Sequence, residues 1–196
     1  MGELTSAAVY CASSPGFDLT YAQAAGNLGT MLAERGISLV FGGGHVGLMG
    51  VVADAVLSGG GEAHGVITRA LQRKELAHHG LTSLEITETM HERKASMADR
   101  ADAFIMLPGG FGTFDEFFEV LTWTQLGIHA KPCGVLDVAG YFGPLRAQMD
   151  AMTSAGFLRP EHRDMVIIDP DPAALLDRLA AWTPPQVQKW LGAAQR

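Results

Sequence analysis

Glu116 is an acid placed just inside a glycine-rich junction, Pro108-Gly109-Gly110-Phe111-Gly112-Thr113-Phe114-Asp115-Glu116. The apolar run Ala103-Phe104-Ile105-Met106-Leu107 leads into it, and the segment Phe114 to Leu126 leads out. Strand, glycine turn and first turn of a helix is the reading these residues predict. Such a junction presents unpaired backbone N–H groups and the positive end of a helix dipole, which suits a phosphate. An acid one turn beyond that anion seat suggests chemistry beside it. The spacing alone leaves a second reading open, because Thr113-x-x-Glu116 is also a capping box in which Glu116 bonds the Thr113 N–H.

Alternating strands and helices must position this junction. Ala7 to Cys11, Ile37 to Phe41, Gly65 to Ile67, Leu81 to Ile86, Cys133 to Leu136 and Met165 to Ile168 read as further strands. Helical patterns cover Tyr21 to Arg35, Val46 to Leu57, His91 to Arg100, Tyr141 to Ala155, Asp171 to Trp182 and Val187 to Leu191, with a polar connector from Arg69 to Gly80. Continuous apolar strands alternating with amphipathic helices predict an α/β fold, a doubly wound parallel sheet flanked by helices on both faces. No linker or solenoid repeat divides the chain, so residues 1–196 are expected to form a single domain. In open α/β sheets ligands bind beyond the C-terminal strand ends. Three loops there are rich in glycine or serine: Ser13 to Gly16, Gly42 to Gly50 and Pro108 to Thr113. None carries a dinucleotide fingerprint after the first strand, and no P-loop run exists.

Composition narrows the partners. A formal charge of -7 argues against a nucleic-acid polymer, which needs clustered Lys and Arg. No apolar run approaches membrane-spanning length, the N-terminus lacks signal-peptide regions, and Cys11 and Cys133 are too few for a disulfide framework, so a cytoplasmic protein is expected. Metal hypotheses fail on spacing. His78-His79 are adjacent, and His91-Glu92 lacks the second His of H-E-x-x-H. A pyridoxal-type decarboxylase needs a Schiff-base lysine in a cofactor site, and none of Lys74, Lys94, Lys131 and Lys189 has that setting. No metal and no cofactor are expected.

Met90-His91-Glu92-Arg93-Lys94-Ala95-Ser96-Met97, followed by the Pro108 to Glu116 junction, closely resembles the LONELY GUY (LOG) family. These are cytokinin-activating phosphoribohydrolases, long mislabelled as lysine decarboxylases. Gly42-Gly43-Gly44-His45-Val46-Gly47-Leu48-Met49-Gly50 and the run Trp123 to Pro132 match in the same order, so the likeness extends from about Val9 to Leu158. The resemblance implies a Rossmann-like fold and a homodimer with active sites near the interface. It also implies cleavage of the N-glycosidic bond in an adenine-type nucleoside 5′-monophosphate, AMP or an N6-substituted relative, to free base and ribose 5-phosphate.

That reaction builds positive oxocarbenium character on the ribose, which a nearby carboxylate stabilises. The resemblance makes Glu116 and Arg93 the catalytic candidates. Glu116 stabilises that charge or orients the attacking water; Arg93 holds ribose hydroxyls and keeps Glu116 ionised. The family's substrate-binding positions fall on Glu75, Arg93, Lys94, Gly110, Phe111, Gly112, Thr113, Phe114, Asp115, Glu116 and Thr122. Met97, one turn beyond Arg93, is a candidate apolar wall for the base. The chain departs from the family pattern at Ala12 (usually Gly), Thr68 (usually Pro) and Asp137 (commonly Asn), which puts the first loop and the connector carrying Glu75 in question.

Overall fold

Seven parallel strands form one sheet in the order β4-β3-β2-β1-β5-β6-β7. This computed structural model describes residues 4–73 and 77–185. The strands are β1 (Ser6–Tyr10), β2 (Ser38–Phe41), β3 (Ala63–Thr68), β4 (Ser83–Thr87), β5 (Ala103–Met106), β6 (Cys133–Leu136) and β7 (Val166–Asp169). The helices are α1 (Leu19–Glu34), α2 (Gly47–Ser58), α3 (Arg69–Gln72), α4 (Met90–Arg100), α5 (Phe111–Leu126), α6 (Gly143–Ser154), α7 (Pro160–Arg163) and α8 (Pro172–Ala181). The architecture is the doubly wound α/β fold that the alternation predicts.

Side-chain alternation along β1 shows how the sheet is sealed on both faces. Ala7 and Val9 point into one core with Leu28 and Leu32 of α1, Val52 and Val56 of α2, and Leu175 and Leu179 of α8. Ala8 and Tyr10 point into the other, with Met97 of α4, Phe117 and Val120 of α5 and Met149 of α6. Each large apolar side chain withdrawn in this way stabilises the fold by about 1.5–3 kcal/mol.

The sequence direction reverses between β1 and β5, which are hydrogen-bonded neighbours paired Tyr10 to Met106. Loops leaving adjacent strands at such a point diverge to opposite faces and leave a crevice at the C-terminal edge. Here those loops are Cys11 to Gly16 and Leu107 to Gly110. They are tied by the Ala12 N–H donating to the Pro108 carbonyl at 3.2 Å.

Several boundaries differ from the sequence reading. α5 starts at Phe111, not Phe114, with Gly110 as its N-cap and no side chain capping it. Thr113 therefore stands inside the first turn, and Thr113-x-x-Glu116 is not the capping box; that device occurs instead at Thr89 and Glu92 on α4. Asp18 caps α1 two residues earlier than the apolar spacing suggests, its carboxylate accepting the Thr20 N–H. α6 begins at Gly143 after a 3-10 turn at Val138–Gly140. The connector after β3 carries the short α3, capped by the Thr68 hydroxyl, which accepts the Leu71 N–H at 3.2 Å. Thr68 thus finds a local role where the family pattern has proline. Ala12 adopts ordinary backbone angles: among the described non-glycine residues a positive φ occurs at Ala139. The helix expected at Val187 to Leu191 lies outside the described residues.

Candidate active site

A cavity of about 460 Å³ opens at the crevice. Its walls come from the loop after β1 (Cys11, Ala12, Ser13, Ser14), from Met49 of α2, Leu71 of α3, Met90 and Arg93 of α4, and from Gly110 to Thr113, Asp115 and Glu116 of α5. Because α5 begins at Phe111, the N–H groups of its first turn face this space without intrahelical partners.

Glu116 and Arg93 meet inside it. Arg93 Nη1 donates to Glu116 Oε1 at 2.8 Å, and Arg93 Nε donates to the Val66 carbonyl within β3, 2.9 Å away. The side chains are 7% and 12% exposed, so the pair is poorly screened by water. Burial pushes the Glu116 carboxyl above the range of an ordinary glutamate, and the Arg93 charge opposes that rise without cancelling it. Tyr10, at the end of β1, is buried close by; burial first and the Glu116 charge second hold its phenol neutral, well above its usual pKa.

Gly42, the first position of the glycine run that follows β2, makes room for the guanidinium. A Cβ on Gly42 would overlap Arg93 Nη2 and come within 3.3 Å of Met49 Sδ. The glycine run is therefore also a clearance for a buried cation, a role that the sequence offers no way to read. Gly47 works differently. It has φ +62°, and a Cβ there would overlap the Ser13–Ser14 peptide.

The remaining predicted site residues divide. Gly110, Phe111, Gly112, Thr113 and Asp115 line the cavity, with Phe111 97% exposed at its mouth. Lys94 does not line it. Its Nζ lies 3.1 Å from Asp115 Oδ2 and 3.0 Å from Glu119 Oε2, tying α4 to α5. Burial draws the Lys94 pKa down, but the Glu119 and Asp115 carboxylates outweigh this and leave it raised. Phe114 packs against Phe118 and Phe142. Thr122 is exposed two turns further along α5, and its hydroxyl donates to the Phe118 carbonyl at 2.7 Å. Glu75 lies outside the described residues.

Met97 corrects the expectation made for it. It is 0% exposed in the core beneath the sheet and does not reach the cavity. α4 runs from the C-terminal edge of the sheet back toward the N-terminal edge, so one turn beyond Arg93 leads away from the site. Met90, one turn before Arg93, lines the cavity instead. The sequence reading also missed Cys11, Met49 and Leu71, whose only signal is their place at strand ends or helix starts facing the crevice.

The uncapped start of a helix at the switch point of a Rossmann-like sheet, with a buried carboxylate–guanidinium pair beside it, has the make-up of a site for a phosphorylated small ligand. The comparisons agree in sequence. A family described as "Possible lysine decarboxylase" matches residues 49–179. The "Probable cytokinin riboside 5'-monophosphate phosphoribohydrolase LOGL2" of Oryza sativa subsp. japonica is 45% identical over 176 residues, 90% of this chain and 72% of that protein. The "Cytokinin riboside 5'-monophosphate phosphoribohydrolase LOG1" of Arabidopsis thaliana is 43% identical, over 90% of this chain and 83% of that protein. The chain belongs to the LOG family of phosphoribohydrolases. Solved structures share the fold at lower identity: the molybdenum cofactor carrier protein of Chlamydomonas reinhardtii superimposes with TM-score 0.67 at 19% identity, covering 91% of this chain and 99% of that one. The molybdenum cofactor binding protein of Rippkaea orientalis gives 0.65 at 19%, covering 92% and 98%.

Proposed function

We propose that this protein hydrolyses the N-glycosidic bond of adenine-type nucleoside 5′-monophosphates, including N6-substituted ones, to free base and ribose 5-phosphate. The observation that carries this reading is the Arg93–Glu116 pair at 2.8 Å, one turn into the helix whose start seats the phosphate. The 5′-phosphate rests on the N–H groups of Gly110, Gly112 and Thr113, which sets the ribose against Glu116. The C1′–N9 bond breaks with its electron pair leaving on the base, and positive charge gathers on C1′ and the ring oxygen. The Glu116 carboxylate faces that charge and accepts the proton of the attacking water, whose oxygen bonds to C1′; a proton delivered through solvent neutralises the departing base, and Glu116 returns its own to solvent. Its raised pKa makes it a stronger base than an exposed glutamate. Arg93 keeps it ionised and steers its orientation. Met49, Leu71 and Met90 supply apolar surface for the base.

A direct test compares a 5′-monophosphate with its nucleoside. Release of base and ribose 5-phosphate is expected from the monophosphate and no release from the nucleoside, because the phosphate anchors the sugar. Equal cleavage of both would remove the phosphate seat from the mechanism. A nucleotide left intact after long incubation at saturating protein would identify a carrier or sensor instead, a role open to this fold.

The same reading includes a homodimer, which the family resemblance supports, and residence in the cytoplasm. Among the described residues no helix is long and apolar enough to cross a membrane. Sedimentation at micromolar concentration is expected to give twice the chain mass, and a monomer there would overturn the assembly.

A further inference from the structure

The wall of the cavity opposite the start of α5 is a serine pair to which nothing above assigns work. The proposed reaction brings a phosphate dianion to this site, yet the cations near it are already committed. Arg93 is held through Nη1 by Glu116 and through Nε by the Val66 carbonyl, and Lys94 by Asp115 and Glu119. Neutral donors on the neighbouring loop are then well suited to complete the seat. Three hydroxyl-bearing residues line the cavity, Ser13, Ser14 and Thr113. The Thr113 hydroxyl is tucked against Gly109, in a side chain that is almost wholly buried. Ser13 and Ser14 are both exposed to the cavity. The Ser14 hydroxyl accepts a long bond, 3.4 Å from the Gly16 N–H, which uses a lone pair and leaves its proton free to donate.

The backbone beneath these hydroxyls is held on both sides. The Ala12 N–H donates to Pro108 of the phosphate loop at 3.2 Å, and the Ala12 carbonyl accepts the Leu48 N–H of α2 at 3.0 Å. Gly47, the first residue of α2, lies so close to the Ser13–Ser14 peptide that a Cβ would overlap it. A donor pair fixed in this way loses little freedom on binding an anion.

We infer that Ser13 and Ser14 are substrate-binding residues that donate hydrogen bonds to the 5′-phosphate from the side opposite the α5 N-terminus. The inference rests on the hydrolase reading above. It leaves Glu116 and Arg93 as the catalytic pair and makes the seat two-sided, with backbone N–H groups on one wall and hydroxyls on the other. The ligand chemistry is a phosphomonoester dianion.

The test is kinetic, on the intact protein, with Ser13→Ala, Ser14→Ala and the double variant. Loss of a hydroxyl that bonds a charged oxygen is expected to raise KM for the 5′-monophosphate about tenfold or more, with kcat within a few-fold of wild type. The inhibition constant of inorganic phosphate should rise in parallel, and Ser14→Thr, which keeps a hydroxyl, should restore the Ser14 contribution. An unchanged KM in the double variant overturns the inference. So does a raised KM with unchanged phosphate inhibition, which would move the serines to the sugar or the base. Failure of the hydrolase reading shows separately, as absence of turnover in the wild type.

Discussion

Glu116→Gln is expected to lower kcat about a thousandfold while leaving KM for the nucleotide within about threefold. The amide keeps the shape of the side chain and an oxygen that can accept from Arg93, so the cavity survives. What disappears is the negative charge facing C1′ and the site that takes the proton from water. The same carboxylate sets the acid limb of the wild-type pH profile. Burial raises the Glu116 pKa and Arg93 only partly opposes the rise, so kcat/KM is expected to fall, as the pH is lowered, sooner than an ordinary exposed glutamate would dictate. Above that limb the residue is ionised and active; below it the residue is protonated and silent. The variant should lose the limb along with the turnover. A thermal melt separates chemistry from folding, because neutralising one member of a buried ion pair also costs stability. Wild-type turnover in a folded Glu116→Gln would take the residue out of the mechanism.

Gly42→Ala is the second large effect, and it reaches the chemistry through a residue that touches no substrate. The added methyl would overlap Arg93 Nη2, the far end of a flexible side chain, and press on Met49 Sδ at 3.3 Å. The side chain can yield where backbone could not, so the melting temperature should change by only a few degrees. The guanidinium can yield only by loosening its bonds to the Val66 carbonyl and Glu116. Misplacement of a catalytic group by about 1 Å costs on the order of a hundredfold in rate, and a loss of that size in kcat is expected here. Gly36→Ala serves as a control. Gly36 also ends an element, with φ +67° and no neighbour within 4 Å of a Cβ, so the cost falls on backbone conformation alone and should leave kcat intact. If Gly42→Ala kept wild-type kcat, Arg93 would not need its present position.

The contrast between these two residues shows what the chain discloses in sequence. The sheet is legible because most of its strands, β2, β5 and β6 above all, are short apolar runs closed by glycine or polar residues. The start of α5 was misplaced by three residues because Phe111-Gly112-Thr113 reads as turn by propensity; the helix begins there nonetheless, with Gly110 as its cap. The proximity of Glu116 and Arg93 was expected through two separate motifs, and what joins them in space is the crossover from α4 through β5 to α5. Met97 and Met90 flank Arg93 by about one turn each, and helical spacing cannot choose between them. The direction in which α4 crosses the sheet does. Gly42 was visible as a glycine and invisible as a clearance, because the atom it clears for arrives from a helix fifty residues on.

The neighbours of β1 carry a consequence for how the chain is made. β1 leaves the ribosome first and finds β2 soon afterwards, but its other edge pairs with Ala103–Met106. At ordinary elongation rates that partner follows on the order of ten seconds later. Throughout that interval the central strand of the finished sheet presents an open, largely apolar edge, the kind of template on which nascent chains join one another. The strand that sites the cavity is thus also the place where synthesis is most exposed to misassembly, until β5 docks and closes it.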